Sequence, residues 1–340
     1  MRSDEMMKKL LSLFLITVLI VSCGNSDAVT EQTNENSTIV SQHGQLSIDG
    51  TNLVDKNGEV IALRGMSLFW SQWGGSYYNE ETIKWLRDDW KCTVIRVAVG
   101  VENGGYLDNK YQEYQKATSV IDACIKLGIY VIVDWHDHHA EIHQYEAITF
   151  FNNISKSYGD KPNIIYEIYN EPLDVSWNDV LKPYAQALVN TIRENDSTNV
   201  IVVGTPNWSQ DVDAVINNKI SDPNVAYALH FYTGTHREWL RDKAINAMNA
   251  GVPLFATEWG LSEANGTGDI DLVESGLWLD FLEQYNLSWC NWSIVNKDES
   301  SAALLPTNST LSGWNSNQLT ESGNMIRDYL IQKNSSMFQK

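Results

Sequence analysis

The chain has 340 residues, of which 43% are hydrophobic and 20% charged, and its formal net charge is −19 at pH 7. This length and composition fit one large globular domain, and the acidic balance argues against a nucleic-acid partner because it repels phosphate groups. The sequence also contains 13 tryptophans, a heavy aromatic content. Such an excess often marks surfaces on which ligands stack, although we expect at least half of these side chains to lie in the core.

The N-terminus resembles an export signal peptide that ends at Cys23. Lys8 and Lys9 precede an apolar stretch, Leu10 to Val21, which is too short for a comfortable membrane span. The final residues, Leu19-Ile20-Val21-Ser22-Cys23-Gly24, resemble a bacterial lipobox in which the cysteine would be lipidated. An ordinary signal peptide with a chance cysteine is the alternative. We expect export, followed by lipid anchoring to a bacterial membrane, on the periplasmic face or the cell surface, or by secretion.

The rest of the chain divides into a polar stretch and one folded domain. Residues 24–43 contain few large apolar side chains, which favours a flexible tether between residues 1–23 and the domain. Residues 44–340 carry no repeat and no second linker, so we interpret them as a single domain. We also expect the protein to be a monomer.

Three cysteines fall inside the predicted domain. Cys92, Cys124 and Cys290 lie in predicted strands or a helix, and we interpret them as small buried hydrophobic residues rather than as a disulfide framework. A disulfide between Cys92 and Cys124 is the alternative.

Short apolar runs recur along the domain with helix-like segments between them. The runs are Val60 to Ser67, Thr93 to Val99, Ile129 to His136, Ile164 to Asn170, Val200 to Thr205, Val225 to Tyr232, Pro253 to Gly260 and Leu287 to Ile294. The clearest helical segments are Tyr111 to Leu127, Trp177 to Asn195 and Asp269 to Tyr285. Eight strands alternating with helices predict an α/β fold of the (β/α)8, or TIM, barrel type. An open doubly wound sheet is disfavoured because no Gly-rich phosphate loop follows a strand.

A small β-hairpin is predicted ahead of the barrel. The segment 46–60 reads as two short strands, and Asn57-Gly58 favours a tight turn between them. We expect this hairpin to close the barrel floor.

Polar residues collect at one end of the predicted strands. Such residues end or interrupt six of the runs: Arg96, Asp134-Trp135-His136, Asn170-Glu171, His230-Phe231-Tyr232, Glu258-Trp259-Gly260 and Trp292. Buried charges are costly unless paired, and the carboxyl ends of barrel strands form one rim, so these side chains are predicted to share a site.

Glu171 and Glu258 are the only acids at the very ends of their strands. Opposed carboxylates suit glycosidic bond cleavage, in which one donates a proton to the leaving oxygen and the other attacks the anomeric carbon. The spacing is about 5–5.5 Å in retaining enzymes and about 6.5–9.5 Å in inverting ones, and strand positions alone allow either. The bland alternative is that Glu171 only caps the next segment.

The predicted neighbours of the two glutamates suggest their roles. Arg96 and Tyr232 would favour the carboxylate form of Glu258 and so make it the nucleophile. Glu171 would feel that negative charge and keep its proton to higher pH, as an acid/base does. His230 would help to set the protonation states of these two glutamates.

The motifs at these strand ends resemble glycoside hydrolase family 5, and within it the endoglucanases, or cellulases. The resemblance covers roughly residues 46–330. It rests on Leu63-Arg64-Gly65-Met66-Ser67, the run Tyr130 to His136, Ile165 to Pro172, Trp208-Ser209-Gln210-Asp211-Val212, His230 to His236, Glu258-Trp259-Gly260, Asn291-Trp292-Ser293 and Lys297 to Leu304.

The resemblance implies a retaining mechanism through a covalent glycosyl-enzyme, with Glu171 as acid/base and Glu258 as nucleophile. It implies that Asn170 binds the sugar 2-hydroxyl, and that Arg96 and Tyr232 orient the nucleophile. The remaining implied contacts are His136 and His230 on the cleft floor, Trp73, Trp208 and Trp292 stacked on glucose rings, and Lys297 and Glu299 on the non-reducing side.

No cofactor and no metal are expected. The histidines of Asp134-Trp135-His136-Asp137-His138-His139 have spacings at which zinc can bind, but a strand end followed by a loop directs them differently. Among other tryptophans, Trp70 could stack or pack, Trp259 is expected to brace the nucleophile, and Trp177 could line the product side.

We therefore expect an endo-β-1,4-glucanase acting on cellulose and related β-glucans. A β-mannanase, xyloglucanase or mixed-linkage glucanase on the same scaffold is the alternative, and a non-catalytic surface glycan-binding lipoprotein a remote one. Two residues depart from the family pattern, since relatives carry His where this chain has Phe69 and often Tyr where it has Gly100. Both positions border non-catalytic subsites, so they affect substrate preference rather than the reaction.

Overall fold

The computed structural model describes residues 37–339. The predicted signal peptide, with Cys23, and most of the predicted tether lie outside the described residues. Among the described helices, none is both long and apolar enough to cross a membrane.

Eight parallel strands close into a barrel, which confirms the predicted (β/α)8 fold. The strands are β3 (Arg64–Leu68), β4 (Val94–Gly100), β5 (Tyr130–His136), β6 (Ile164–Glu167), β7 (Ile201–Val203), β8 (Val225–Tyr232), β9 (Leu254–Gly260) and β10 (Trp289–Ile294). Each pairs with the next in chain order, and β10 pairs with β3. Because nearly every strand residue is buried on both faces, the runs are continuously apolar rather than alternating.

Helices surround the barrel. They are α1 (Ile39–His43), α2 (Ser71–Gly74), α3 (Glu80–Asp88), α4 (Tyr106–Leu127), α5 (Gln144–Tyr158), α6 (Lys182–Arg193), α7 (Pro206–Ser209), α8 (Glu238–Asn249), α9 (Leu272–Gln284) and α10 (Glu321–Asn334). Gly128 ends α4 at φ +67°, the left-handed cap that glycine favours. A π-helical turn, Trp177–Leu181, leads into α6, so the predicted helix 177–195 contains two kinds of helix.

The hairpin is present, but the predicted turn was wrong. Strands β1 (Ser47–Asp49) and β2 (Asn52–Val54) are joined at Gly50-Thr51, and Asn57-Gly58 belongs to the next turn, which brings Val60 back to Val54. The hairpin lies at the amino ends of the barrel strands, because Ile48 N–H donates to Asn224 Oδ1 at 2.7 Å just before β8. The barrel floor is therefore covered, and the opposite rim is left for the site.

The folded domain begins earlier than predicted. Residues 39–43, assigned to the tether, form α1, and Thr38 caps it. Ile39 is buried in the core, and Val40 N–H donates to Gly128 O at 2.9 Å. A polar composition hid this helix because only one of its side chains, that of Ile39, is fully buried.

The cysteines are buried and unpaired. Cys92, Cys124 and Cys290 are free thiols, which excludes the alternative disulfide and agrees with their interpretation as core residues. Burial raises the pKa of all three thiols, so they stay neutral.

Candidate active site

The segment after β6 carries two of the predicted site residues onto the rim. The strand ends at Glu167 rather than at Asn170, but the backbone stays extended beyond it. Ile168 N–H donates to Val202 O at 3.0 Å and Asn170 N–H donates to Trp135 O at 3.1 Å. Glu171 follows with its backbone tied to the loop after β5, so its side chain starts from a fixed position.

Glu171 and Glu258 face each other across this rim. One carboxylate oxygen of each, together with a ring nitrogen of His230, lies within 4.8 Å of the other two. Glu258 sits in β9 and pairs in register with His230 of β8, which explains why residues distant in sequence meet here. The spacing places the two carboxyl groups in the range of retaining rather than inverting glycosidases, about 5–5.5 Å against about 6.5–9.5 Å.

Glu258 is held at both carboxylate oxygens. The Tyr232 hydroxyl donates to Oε1 at 2.7 Å, and Arg96 Nη1 donates to Oε2 at 2.8 Å. These are the contacts expected of Arg96 and Tyr232. A carboxylate fixed in this way can present one lone pair to an incoming electrophile without first reorienting.

Arg96 serves more than one acid. Its guanidinium also donates to Glu167, at 2.7 and 3.1 Å, and lies 3.0 Å from Asp134 Oδ2. Glu167 was not among the predicted site residues, although a lone acid inside an otherwise apolar strand was the signal for it. Despite burial, Arg96 and His230 hold the pKa of Glu167 below its usual value.

The prediction that its neighbours favour the carboxylate form of Glu258 was wrong in its net effect on the pKa. Burial, followed by the charge of Glu171, raises the pKa of Glu258 above its usual value. The lowering effects of Arg96, His230 and Tyr232 are smaller, because several acids share one guanidinium. Burial likewise raises the pKa of Asp134 well above its usual value. The roles of the two glutamates must therefore be argued from position rather than from resting pKa.

His230 connects the two layers of carboxylates. Its Nδ1 lies 3.0 Å from Glu171 Oε1, and its Nε2 lies 2.9 Å from the Thr257 hydroxyl, which donates to Glu167 at 2.6 Å. Burial disfavours the imidazolium, but hydrogen bonds to Glu167 and Glu171 outweigh it and raise the pKa of His230 to about 9. At neutral pH both ring nitrogens therefore donate, one of them to Glu171.

His136 is kept neutral beside them. Burial, Arg96 and the other histidines lower its pKa well below the usual value. Its Nδ1 is 2.6 Å from Asp134, and its ring is stacked on Trp292, with centroids 5.1 Å apart and planes 6° apart. Trp70 packs edge-on against it, with centroids 4.1 Å apart.

The neighbouring histidines contact different partners. His138 Nδ1 approaches the Glu171 backbone oxygen at 3.3 Å, whereas His139 Nδ1 lies 3.6 Å from Glu102. His138 was not predicted as a site residue, but the same Nδ1 also lies 3.7 Å from Oε2 of the Glu171 carboxylate.

Asn170 offers an unused donor to the cleft. Its Oδ1 accepts from Arg96 Nη2 at 2.6 Å, which fixes the side-chain amide. Its Nδ2 is buried and has no partner among the described residues. A buried donor without a partner is costly, so a ligand acceptor at this point would be well bound.

Two cavities meet at Glu171. One, of about 330 Å³, is lined by both Glu171 and Glu258 and by most of the other predicted contacts, His136, Trp73, Trp208, Trp292, Lys297 and Glu299. The other, of about 500 Å³, is lined by Glu171 and His230 but not by Glu258. The cleft therefore runs past the pair, with Glu171 on both sides.

Trp208 stands where the two cavities join, on a strained loop. Asn207, Trp208 and Ser209 are three consecutive left-handed residues, with φ from 56° to 58°. Their backbone is held by Trp208 N–H donating to Pro172 O at 2.7 Å and by the Ser209 hydroxyl donating to Asn170 O at 2.8 Å. Such strain persists only where surrounding contacts fix it, and here it leaves the indole 43% exposed over the cleft.

The two departures from the family pattern have structural partners. Phe69 lines the first cavity, contacts Trp292 with ring centroids 5.3 Å apart, and lies under Lys297 Nζ at 5.2 Å. At Gly100, an added Cβ would lie 1.7 Å from Gln72 Oε1, so the glutamine occupies the space of a larger side chain.

Of the uncertain tryptophans, one lines the cleft and two are core. Trp70 lines the first cavity. Trp177 is buried and its Nε1 donates to Asn218 O at 2.9 Å, so it does not line the product side. Trp259 is buried, with its ring stacked on Phe231 at 5.4 Å, which agrees with a bracing position next to Glu258.

Two carboxylates at this spacing, Glu258 buried and Glu171 partly exposed, flanked by exposed indoles on a barrel rim, are the arrangement of a glycoside hydrolase. The family model described as Cellulase (glycosyl hydrolase family 5) matches residues 54–298. The chain belongs to this family.

Named relatives agree with the family. The chain is 44% identical over 328 residues to "Endoglucanase A" of Evansella cellulosilytica, covering 95% of this chain and 66% of that protein. It is 42% identical over 334 residues to "Endoglucanase N" of Pectobacterium atrosepticum, covering 97% and 73%. The chain thus spans about two thirds of the length of these curated relatives.

Solved structures share the fold. A structure from Cytophaga hutchinsonii is 49% identical with a TM-score of 0.88, covering 88% of this chain and 99% of that one. The catalytic domain of an endoglucanase from Thermobifida fusca is 30% identical with a TM-score of 0.83, covering 86% and 99%.

Proposed function

We propose that this glycoside hydrolase is a retaining endo-β-1,4-glucanase that cleaves internal bonds of cellulose and related β-glucans. The observation that carries the proposal is the pair of carboxylate oxygens, of Glu171 and Glu258, within 4.8 Å of each other. That gap leaves no room for the water that an inverting enzyme places between its acids. The open cleft on both sides of the pair suits a chain that continues past the cleaved bond.

In the first step, Glu258 attacks the anomeric carbon of the bound sugar. Its electron pair forms the ester bond while the glycosidic bond breaks, and Glu171 gives its proton to the departing oxygen. Glu258 suits the nucleophile role because Tyr232 and Arg96 hold both its oxygens in place. The family resemblance gives Asn170 the role of binding the neighbouring 2-hydroxyl, and its Nδ2, a buried donor without a partner among the described residues, supports that role.

In the second step, water breaks the ester. Glu171, now a carboxylate, accepts a proton from that water. At the same time the water oxygen bonds to the anomeric carbon, and the ester bond to Glu258 breaks to release its carboxylate. His230, hydrogen-bonded to Glu171 at 3.0 Å, stabilises the carboxylate form in this half of the cycle. Two inversions give net retention of configuration.

Removing either carboxylate tests these roles. We expect Glu171→Gln and Glu258→Gln each to lower kcat on soluble cellulose by at least about three orders of magnitude, since each removes a group used in bond making. Circular dichroism and thermal unfolding should show an intact fold. Wild-type-like turnover in either variant contradicts the assignment.

The preferred polysaccharide is proposed from the relatives named endoglucanase. Reducing-sugar release should be highest on carboxymethyl cellulose. Faster release from mannan, xyloglucan or mixed-linkage β-glucan would instead assign the same chemistry to a β-mannanase, a xyloglucanase or a mixed-linkage glucanase.

We also propose export with lipid anchoring at Cys23, supported by the lipobox-like sequence Leu19 to Gly24. Radiolabelled palmitate should enter the wild-type protein in a bacterial host, and Cys23→Ala should release the protein from the membrane fraction. Equal membrane association of the two proteins, without label, would contradict anchoring.

A further inference from the structure

We propose that Trp239 is a second sugar platform, which binds the second glucosyl unit of the leaving chain beyond the cleaved bond. The inference rests on the proposed glucanase function and adds a binding position to it. Trp239 was not singled out by any sequence motif, and no role in the reaction steps above requires it.

The glutamates that line each cavity indicate which part of the substrate that cavity binds. The sugar that becomes attached to the enzyme must contact the nucleophile, so the cavity lined by Glu258 holds the glycone. The leaving sugar must contact the acid but not the nucleophile, which is the situation in the cavity of about 500 Å³. Trp208 and Trp239 both line this second cavity, together with Glu171.

Trp239 is exposed in a way that packing does not explain. It is the second residue of α8, at the rim end of that helix, and 47% of its surface is accessible. A single exposed indole elsewhere on a surface would be unremarkable, but this one lines a cavity that contains the acid/base. The equatorial hydroxyls of a β-glucosyl unit leave C–H groups on both ring faces, which suit an indole surface.

The indole is also held in position. Lys243, one helical turn on, places its Nζ 5.6 Å from the indole centroid. The same Nζ pairs with Asp211 Oδ1 at 2.5 Å, and Asp211 follows the strained turn that carries Trp208. His236 packs on the indole as well, with ring centroids 5.8 Å apart. One ion pair thus ties together the two segments that present the two indoles, which is the preorganisation that binding sites need.

The test uses cellopentaose labelled with ¹⁸O at its reducing end and the intact protein. Mass spectrometry measures how often each bond is cut, as labelled glucose, cellobiose or cellotriose. Binding at the Trp239 position is required to release labelled cellobiose but not to release labelled glucose. We expect Trp239→Ala to lower the ratio of labelled cellobiose to labelled glucose by about fivefold, the scale of one lost stacking contact.

Three further variants separate stacking from folding. Trp239→Leu keeps apolar bulk without a flat face and should shift the ratio like alanine, whereas Trp239→Phe should stay within twofold of wild type. Tyr111→Ala removes an exposed aromatic side chain that lines neither of the two cavities and should leave the ratio unchanged. A folding defect lowers all products together and does not move the ratio.

The outcomes distinguish this inference from the proposed function. If wild type cuts cellopentaose and the ratio in both Trp239→Ala and Trp239→Leu stays within twofold of wild type, the platform is overturned and the glucanase function stands. If wild type cuts no β-1,4-glucan, the proposed function fails and the platform fails with it.

Discussion

At the scale of single residues, the site is organised around one cation and the acids that share it. Arg96 is fully buried and contacts Glu258, Glu167 and Asp134. Removing charge from such a cluster is expected to disturb both stability and protonation, because the acids compete for the same guanidinium. The proton on His230 is the part of this network that pH can test most simply.

The raised pKa of His230 predicts a pH-dependent stability. Its folded pKa of about 9 lies above the usual 6.5, so the stabilisation is fully present below pH 6.5 and is lost as pH rises through about 9. The loss is on the order of 3 kcal/mol of unfolding free energy. Urea unfolding of wild type and His230→Gln from pH 6 to 10 measures it. Parallel pH profiles for the two proteins would contradict the shift.

Some residues of the site could be predicted from the sequence and others could not. Strand ends identified both glutamates, because a charge that follows an apolar run is visible in one sequence. Glu167 and Trp239 were missed for opposite reasons. The acid lies inside a strand, where only the barrel shows that it faces Arg96, and the tryptophan lies in a helix that the linear sequence does not bring near Glu171.

At the scale of secondary-structure elements, the close backbone contact between strands determines which glycines of the barrel can be replaced by a larger residue. A Cβ at Gly65 of β3 would lie 1.8 Å from Val94 O, a backbone atom of β4. A Cβ at Gly100 would instead meet the end of the Gln72 side chain, which can move.

This contrast predicts different costs for two alanine substitutions. Gly65→Ala should lower the free energy of unfolding by about 3 kcal/mol, since only a strand shift relieves the contact. Gly100→Ala should cost less than about 1 kcal/mol, because Gln72 rotates away. Chemical denaturation compares the two variants, and an equal or reversed order would show that the strand spacing is not the constraint described.

Element order was largely predictable and element ends were not. All eight barrel strands were located, because burial on both faces makes each one a continuous apolar run. The hairpin turn was misplaced because Asn57-Gly58 does form a turn, and its sequence does not say which two strands it joins. The strand before Glu171 was predicted to end at Asn170, three residues beyond its actual end at Glu167, because the backbone stays extended after the strand pairing ends.

At the scale of the whole molecule, the domain includes a segment that looks like a linker. Helix α1 buries Ile39, and Gln42 Nε2 donates to Met337 O at 3.0 Å, which joins the two ends of the described chain. His43 adds a contact to Asp55 at 2.9 Å.

Two truncations test this boundary. Removing residues 1–36 should leave the free energy of unfolding of the domain unchanged. Removing residues 1–43 should lower it by about 2–3 kcal/mol, the value of one buried isoleucine. Thermal and urea unfolding of the two proteins gives the comparison, and identical stability would return residues 37–43 to the tether.

The stereochemistry of bond cleavage tests the roles of the two glutamates most directly, since the spacing of Glu171 and Glu258 suits double displacement. Proton NMR of the first minutes of hydrolysis of a soluble β-glucan reports the anomer before mutarotation. The spacing predicts that the β-anomer forms first and the α-anomer grows in later. Initial release of the α-anomer would mean inversion and would contradict the assignment of Glu258 as nucleophile.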